Sequence, residues 1–355
     1  MRASRLHGIR DLRLEELPPP TPGPGEVLVR VAAVGVCGSD VHYYLEGRIG
    51  DAVVSEPLIL GHEFSAKVAE LGPRAHSGRV DGLEVGQLVA VEPGISCGRC
   101  EPCRHGHPNL CPDVRYCGTP PIDGVFAEYA VMPAANCYPL PQGFGPAEGA
   151  LLEPLGIAIH SVDLAHLKVG QTVAVLGAGP IGLLIAAVAR AAGAGEIFVT
   201  EPLAHRRQFA LDYTANGLAV ADAALDPGDT DVAAEILRLT GGRGVDVAFE
   251  AAGAADTPQQ AVDVACIGAK VILVGIPSDD GMTIKASTAR HKGLVLKPVF
   301  RMKHTYSRAI RLVQTGMVDV KPLATHLFPL ERIGEAFELV AGYEGGVLRA
   351  VIQVF

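Results

Sequence analysis

Thr172-Val-Ala-Val-Leu176 runs without a break into Gly177-Ala-Gly179-Pro180-Ile181-Gly182. No other stretch restricts the fold of this chain as much. An apolar strand that ends on G-x-G-x-x-G and continues as a helix is the opening of a dinucleotide-binding unit. The glycines allow the tight turn, the approach of a pyrophosphate and the close packing of helix on strand, while the helix N-terminus favours the negative charge. By itself the glycine pattern is weak. Here the following strand, Glu196-Ile-Phe-Val-Thr200, ends at Glu201, near the spacing of about 20 residues expected of an acid that binds ribose hydroxyls. A ligand-free glycine turn has no use for that acid. Further on, Asp231–Thr240 reads as helix, Val245–Glu250 as strand, Pro258–Cys266 as helix, and Lys270–Gly275 and Leu294–Phe300 as strands. Strands alternating with helices predict a doubly wound parallel sheet.

The residues before about 146 have a different grain. Glu26–Val34, Phe64–Glu70 and Gln87–Glu92 read as short strands bounded by Gly or Pro, and only a possible turn is seen near Asp40–Glu46. Within this part, Cys37, His62 and Glu63 are three zinc-binding residue types separated by a loop. Three protein ligands leave one position open, as a catalytic zinc requires. Ser39 and His42 lie close by and can carry protons. Taken singly, each ligand reads as an ordinary buried cysteine, loop histidine or surface acid. A second signature changes that balance: Cys97, Cys100, Cys103 and Cys111 have the spacing C-x2-C-x2-C-x7-C. Four thiolates can close a tetrahedron on zinc with no open position, and similar spacings serve iron–sulfur clusters. Glu153 sits inside the apolar helical stretch Glu148–Val162. It is either a carboxylate with a nearby partner or metal, or an acid favoured by a helix start. Met302–Thr315 and Leu330–Ala341 read as amphipathic helices, and Leu348–Phe355 as a strand returning to the β-rich part.

With 355 residues, 48% of them apolar, the chain can build two cores. A formal charge of −9 argues against nucleic acid or an anionic membrane surface as partner. No apolar run reaches the ~18 residues of a span, and Met1–Arg10 lacks the apolar core of a signal peptide. The expected location is the cytoplasm, where eight cysteines speak for metal rather than disulfides.

Together these features resemble the zinc-dependent medium-chain dehydrogenases, in their sorbitol and xylitol dehydrogenase branch. C-G-S-D-V-H-Y at 37–43, G-R-I-G-D at 47–51, L-G-H-E at 60–63, V-E-P-G at 91–94 and C-G-T-P-P at 117–121 carry the resemblance. So do E-P-L at 153–155, G-A-G-P-I-G at 177–182, V-F-R at 299–301 and V-K-P-L at 320–323. It implies an α/β protein with a GroES-like β-rich catalytic domain over 1–152 and 297–355, a structural zinc lobe at about 94–113 and a Rossmann NAD-binding domain over 153–296. The active site would lie in the cleft.

By the same resemblance, Cys37, His62 and Glu63 match the ligands of one catalytic zinc, with Glu153 joining directly or through water. Cys97, Cys100, Cys103 and Cys111 match the ligands of one structural zinc. Ser39 and His42 match a proton relay. Tyr43, Tyr116, Glu153 and Arg301 match substrate-holding positions. Gly177, Gly179, Pro180, Ile181, Gly182, Glu201, Arg206, Val274, Gly275, Ile276, Val299, Phe300 and Arg301 match the cofactor site. The implied reaction is the reversible, NAD-dependent oxidation of a secondary hydroxyl of a small polyol to the ketose, in a homodimer or homotetramer. One departure is Glu201, where the branch usually has Asp; Glu still opposes a 2′-phosphate, while Arg206 and Arg207 leave some NADP use open. The rival readings are threonine dehydrogenase or another zinc alcohol dehydrogenase and, in a different class, a non-catalytic zinc- and nucleotide-binding protein, for which Ser39 and His42 would have no purpose.

Overall fold

The computed structural model describes residues 1–75 and 82–355. The chain divides into two compact units, Met1–Glu153 with Val320–Phe355, and Pro154–Asp319.

The first unit is built on the strand Glu26–Gly35, which follows the Pro/Gly-rich stretch 18–25 and buries Val27, Val29, Val31 and Val34. Glu63–Leu71 pairs with it antiparallel, with Gly35 opposite Glu63 and Val27 opposite Leu71. Leu88–Val91 and then Cys137–Pro139 extend the sheet on that side. On the other side Ala350–Gln353 pairs antiparallel with residues 33–35 of the same central strand and Tyr129–Pro133 with residues 26–30, and His326–Pro329 pairs in parallel with Ala350–Gln353. Beneath this sheet Phe126 and Phe337 are fully buried with ring centres 5.7 Å apart, and Tyr44 meets Phe337 edge-on at 5.1 Å. Each such side chain withdraws enough apolar surface to stabilise the fold by about 1.5–3 kcal/mol. A hairpin, Arg2–Gly8 with Asp11–Glu16, adds a small separate sheet that the sequence reading did not identify.

The stretch read as a turn is a nine-residue helix, Gly38–Glu46. The Asp40 carboxylate accepts the Cys37 N–H at 3.0 Å, and the helix stops at Gly47, whose φ of 70° returns its N–H to the Tyr43 carbonyl. Capping at both ends holds a helix whose weak amphipathic signal hid it in the sequence.

In the second unit six strands pair in parallel in the order Ala223–Leu225, Ile197–Thr200, Val173–Leu176, Val245–Glu250, Ala265–Leu273, Val295–Pro298. This is the doubly wound arrangement, with the first strand of the unit in the middle, where the strand order reverses. The helix Pro180–Ala191 buries every residue from Gly182 to Arg190, which explains why it is apolar all round. A Cβ on Gly182 would stand 1.9 Å from the Gly177 carbonyl oxygen, so only glycine permits that approach. The second unit continues past 296, where the sequence reading ended the nucleotide domain. Val295–Pro298 is an edge strand of its sheet, and Arg308 pairs with Asp163 at 2.5 Å. The helix expected over Met302–Thr315 begins only at Tyr306, because Arg301 and His304 take left-handed φ values of 54° and 53°. Among the described residues no helix is long and apolar enough to cross a membrane.

Candidate functional site

Strand pairing brings the first candidate centre together. Cys37 lies two residues beyond the end of Glu26–Gly35, and Glu63 opens the neighbouring strand directly opposite Gly35. Gly35 makes the room: a Cβ there would fall 2.3 Å from Glu63 Oε2. The Cys37 sulfur, a His62 ring nitrogen and a Glu63 oxygen all lie within 4.8 Å of one another. His62 is 7% exposed and Glu63 fully buried.

This donor set fits a divalent cation. Neither Glu63 oxygen accepts a hydrogen bond, although the carboxylate is wholly buried. Arg349 Nη2 stands 3.1 Å from Oε1, close enough for an ion pair but without hydrogen-bond alignment. Burial disfavours a charged His62 ring, yet Asp40 and Cys37 outweigh it and hold the ring well above its usual pKa. The pocket therefore favours positive charge where the three groups converge. A cysteine, an imidazole and a carboxylate joined by no fourth such donor among the described residues is the composition of an open zinc site.

Two residues that the sequence reading passed over organise this centre. Asp40 is 1% exposed. It accepts the N–H groups of Cys37 and Gly61, each at 3.0 Å, and lies 3.5 Å from His62 Nδ1. A carboxylate behind a ligating histidine fixes the tautomer and ring orientation. Arg349 is 3% exposed and donates to the Val36 carbonyl at 2.7 Å. Burial alone would lower the pKa of its guanidinium, but Glu63 and Cys37 raise it above its ordinary value. The D in C-G-S-D could have been seen as a cap three residues from Cys37; Arg349, distant in sequence, gave no signal.

Glu153 is buried but lies outside the three-ligand set, and its Oε1 accepts the Tyr116 hydroxyl at 2.9 Å. Burial pushes its carboxyl up to about 7; His62 and the Tyr116 hydrogen bond oppose that rise and Glu63 adds to it. The Tyr116 ring is 5.6 Å from that of His62. Ser39 is half-buried, and His42 Nδ1 faces Glu46 Oε1 at 3.3 Å. Tyr43 is 4% exposed and belongs to the apolar core of the first unit.

The four sulfurs of Cys97, Cys100, Cys103 and Cys111 also lie within 4.8 Å of one another. One zinc with ~2.3 Å bonds needs sulfurs ~3.8 Å apart. A cluster spreads its cysteines over several irons. The spacing therefore favours a single ion. Cys97 N–H donates to the Cys111 sulfur and Cys100 N–H to the Cys97 sulfur, both at 3.4 Å. The N–H groups of Arg99 and Cys100 bring the Cys97 thiol down to about 6, toward the thiolate that a metal binds.

In the second unit the glycine turn Gly177–Gly182 opens the helix that starts at Pro180, with Ile181 half-buried in its first turn. Glu201 follows the neighbouring strand, and its carboxylate accepts the N–H groups of Ala178 at 2.9 Å and Leu203 at 3.1 Å. Arg206 is buried, with Nη1 3.8 Å from where a Cβ on Gly179 would stand. Val274, Gly275 and Ile276 follow the fifth strand of the sheet, and Val299, Phe300 and Arg301 follow the sixth. Ligands bind such sheets at these carboxyl ends. The Arg301 guanidinium lies over the Phe300 ring at 4.7 Å.

Residues 23–142 match the family model of the alcohol dehydrogenase GroES-like domain, and residues 180–315 match that of the zinc-binding dehydrogenases. The chain is 38% identical to the sorbitol dehydrogenase of Bacillus subtilis over 99% of its own length and 97% of that protein. It is 39% identical to the D-xylulose reductase A of Aspergillus niger over 96% of its length and 93% of that one. Among solved structures, the 2R,3R-butanediol dehydrogenase of Bacillus subtilis superposes with a TM-score of 0.86 at 31% identity, covering 100% of this chain and 99% of the other.

Proposed function

The chain belongs to the zinc-binding alcohol dehydrogenases with a GroES-like domain, and from that premise we propose that it oxidises a secondary hydroxyl of a small polyol to the ketose, reversibly, with NAD. The observation that carries this reading is the conjunction of near full-length likeness to a sorbitol dehydrogenase and a xylulose reductase with the open ligand set Cys37, His62 and Glu63. When bound, zinc supplies Lewis acidity toward the substrate oxygen and NAD supplies the hydride acceptor.

In this reading Cys37, His62 and Glu63 hold the metal, and Asp40 orients His62. Glu153 Oε2 takes or returns the hydroxyl proton, with Tyr116 holding Oε1. A carboxyl with a pKa near 7 suits a group that must both accept and release a proton near neutrality. Ser39 and His42 provide a second proton route, and Tyr43 and Arg301 meet the remote hydroxyls. The four-cysteine lobe holds a structural zinc. The first unit acts as the catalytic domain and the second as the NAD domain, where Glu201 faces the ribose. The protein works in the cytoplasm as a homodimer or homotetramer.

A panel of sorbitol, xylitol, butane-2,3-diol and propan-2-ol with NAD tests the substrate class. Polyols should exceed the simple alcohol in kcat/KM. A site built to hydrogen-bond hydroxyls leaves its polar groups unpaired when they are missing. Arg301→Ala should depress the polyols more than propan-2-ol, and equal losses would remove Arg301 from the substrate site. Glu153→Gln should depress both substrates.

A further inference from the structure

Two strands of the second unit end side by side, Ile197–Thr200 at Glu201 and Ala223–Leu225 at Asp226, and the Glu201 N–H donates to the Leu225 carbonyl at 3.0 Å. This is the carboxyl edge of the sheet at the position where the adenosine ribose of a dinucleotide is read. Arg207 follows in the next helix, Ala204–Asp212. A free arginine here would suit the extra phosphate of NADP. This arginine is not free. Its Nη1 donates to the carbonyls of Glu201 and Pro202, both at 2.7 Å, and its Nη2 pairs with Asp226 Oδ2 at 2.7 Å. Asp226 is itself fixed, because Oδ1 accepts the Gly228 N–H at 2.8 Å. Both side chains keep about a fifth of their surface, 20% and 23%, so the pair is not sealed in.

We infer that Asp226 is a specificity-determining positioning residue: it holds Arg207 against the backbone and so withholds from a 2′-phosphate the cation the sequence places within reach. This rests on the dinucleotide reading above and goes beyond it. Glu201 repels the phosphate directly, whereas Asp226 acts only through Arg207. The two effects are separable.

The probes are 2′,5′-ADP and 5′-AMP, which differ only in the 2′-phosphate, titrated calorimetrically into the full-length protein. Asp226→Asn keeps an oxygen for the Gly228 N–H and removes the charge that holds Arg207. It should tighten 2′,5′-ADP on the order of fivefold, the scale of a partly exposed ion pair that no longer competes, while 5′-AMP changes little. The double variant Asp226→Asn, Arg207→Ala should lose that gain. The ratio of NADP to NAD kcat/KM should move in the same direction. Thermal unfolding of each variant shows whether the fold is kept, and Asp226→Ser is the substitute if Asn unfolds. An unchanged 2′,5′-ADP to 5′-AMP ratio in Asp226→Asn overturns the inference. A gain that survives the loss of Arg207 also overturns it, since Asp226 would then act by its own charge. Failure of the wild-type protein to bind either NAD or 5′-AMP overturns the dinucleotide reading itself, a different result from the other two.

Discussion

Replacing Asp40 separates the metal centre from the fold that carries it. The side chain accepts two backbone N–H groups, from Cys37 and Gly61, and stands behind His62. Asp40→Ala strands both donors in a site where the residue itself is 1% exposed. Each unsatisfied buried donor costs about 1–3 kcal/mol, so the loss from the hydrogen bonds alone is ~2–6 kcal/mol. Set against a typical stability of ~5–15 kcal/mol, that is a large fraction. Asp40→Asn keeps one acceptor oxygen but turns an NH2 toward the other donor, so roughly half of that cost remains. It also removes the charge behind the imidazole, and loss of such a partner weakens metal binding about 10–100-fold. Zinc release to a graded chelator series, read by a colorimetric indicator, measures the second effect, and urea unfolding measures the first. In Asp40→Asn the zinc at Cys37, His62 and Glu63 should leave at lower chelator concentration while the four-cysteine zinc stays. Wild-type zinc affinity in Asp40→Asn would refute the argument that this carboxylate sets the histidine, whatever the change in stability.

Arg349→Met leaves Glu63 as an uncompensated buried charge, a change worth about 3–5 kcal/mol. Because a metal would neutralise Glu63, urea unfolding should show the larger loss after zinc is stripped, and equal losses with and without zinc would argue against Glu63 as a ligand. Cys111→Ser should reduce metal analysis from two zinc ions per chain to one and lower the melting temperature far more than the kcat of the folded fraction, since structural zinc contributes folding free energy. Glu201→Ala should narrow the preference for NAD over NADP in steady-state kinetics. It should also raise the KM for NAD, because the Ala178 and Leu203 N–H groups lose their acceptor.

What the sequence disclosed depended on how local each signal is. The glycine turn, its strand and Glu201 are contiguous or nearly so, and the parallel sheet followed from them. The two candidate ligand sets were legible because Cys, His and Glu at these spacings are rare enough to stand out, even though strand pairing rather than spacing brings Cys37 to Glu63. Helix Gly38–Glu46 was missed because its stability lies in two caps and not in an apolar stripe. Arg349 was missed for a different reason. A lone arginine before the last strand has no meaning until Glu63 is seen buried beside it. The boundary at 296 came from the resemblance and not from the residues, whereas Val295–Pro298 pairs with Ala265–Leu273 and Arg308 with Asp163, and the compact second unit runs on to Asp319.

Synthesis proceeds from the N-terminal side, and the order of strands in the first unit gives that direction a consequence. All six strands of the second unit's sheet have been made once Pro298 is joined, so it can fold while the chain is still growing. The first unit cannot. Tyr129–Pro133 covers residues 26–30 of one edge of its central strand, but residues 33–35 wait for Ala350–Gln353, and Glu63, made early, waits for the distant Arg349. A nascent chain therefore carries one uncovered end of a strand edge and an unmatched carboxylate until residues 349–353 are made. A chain cut short before Arg349 has every strand of the second unit's sheet but leaves Glu63 without its countercharge.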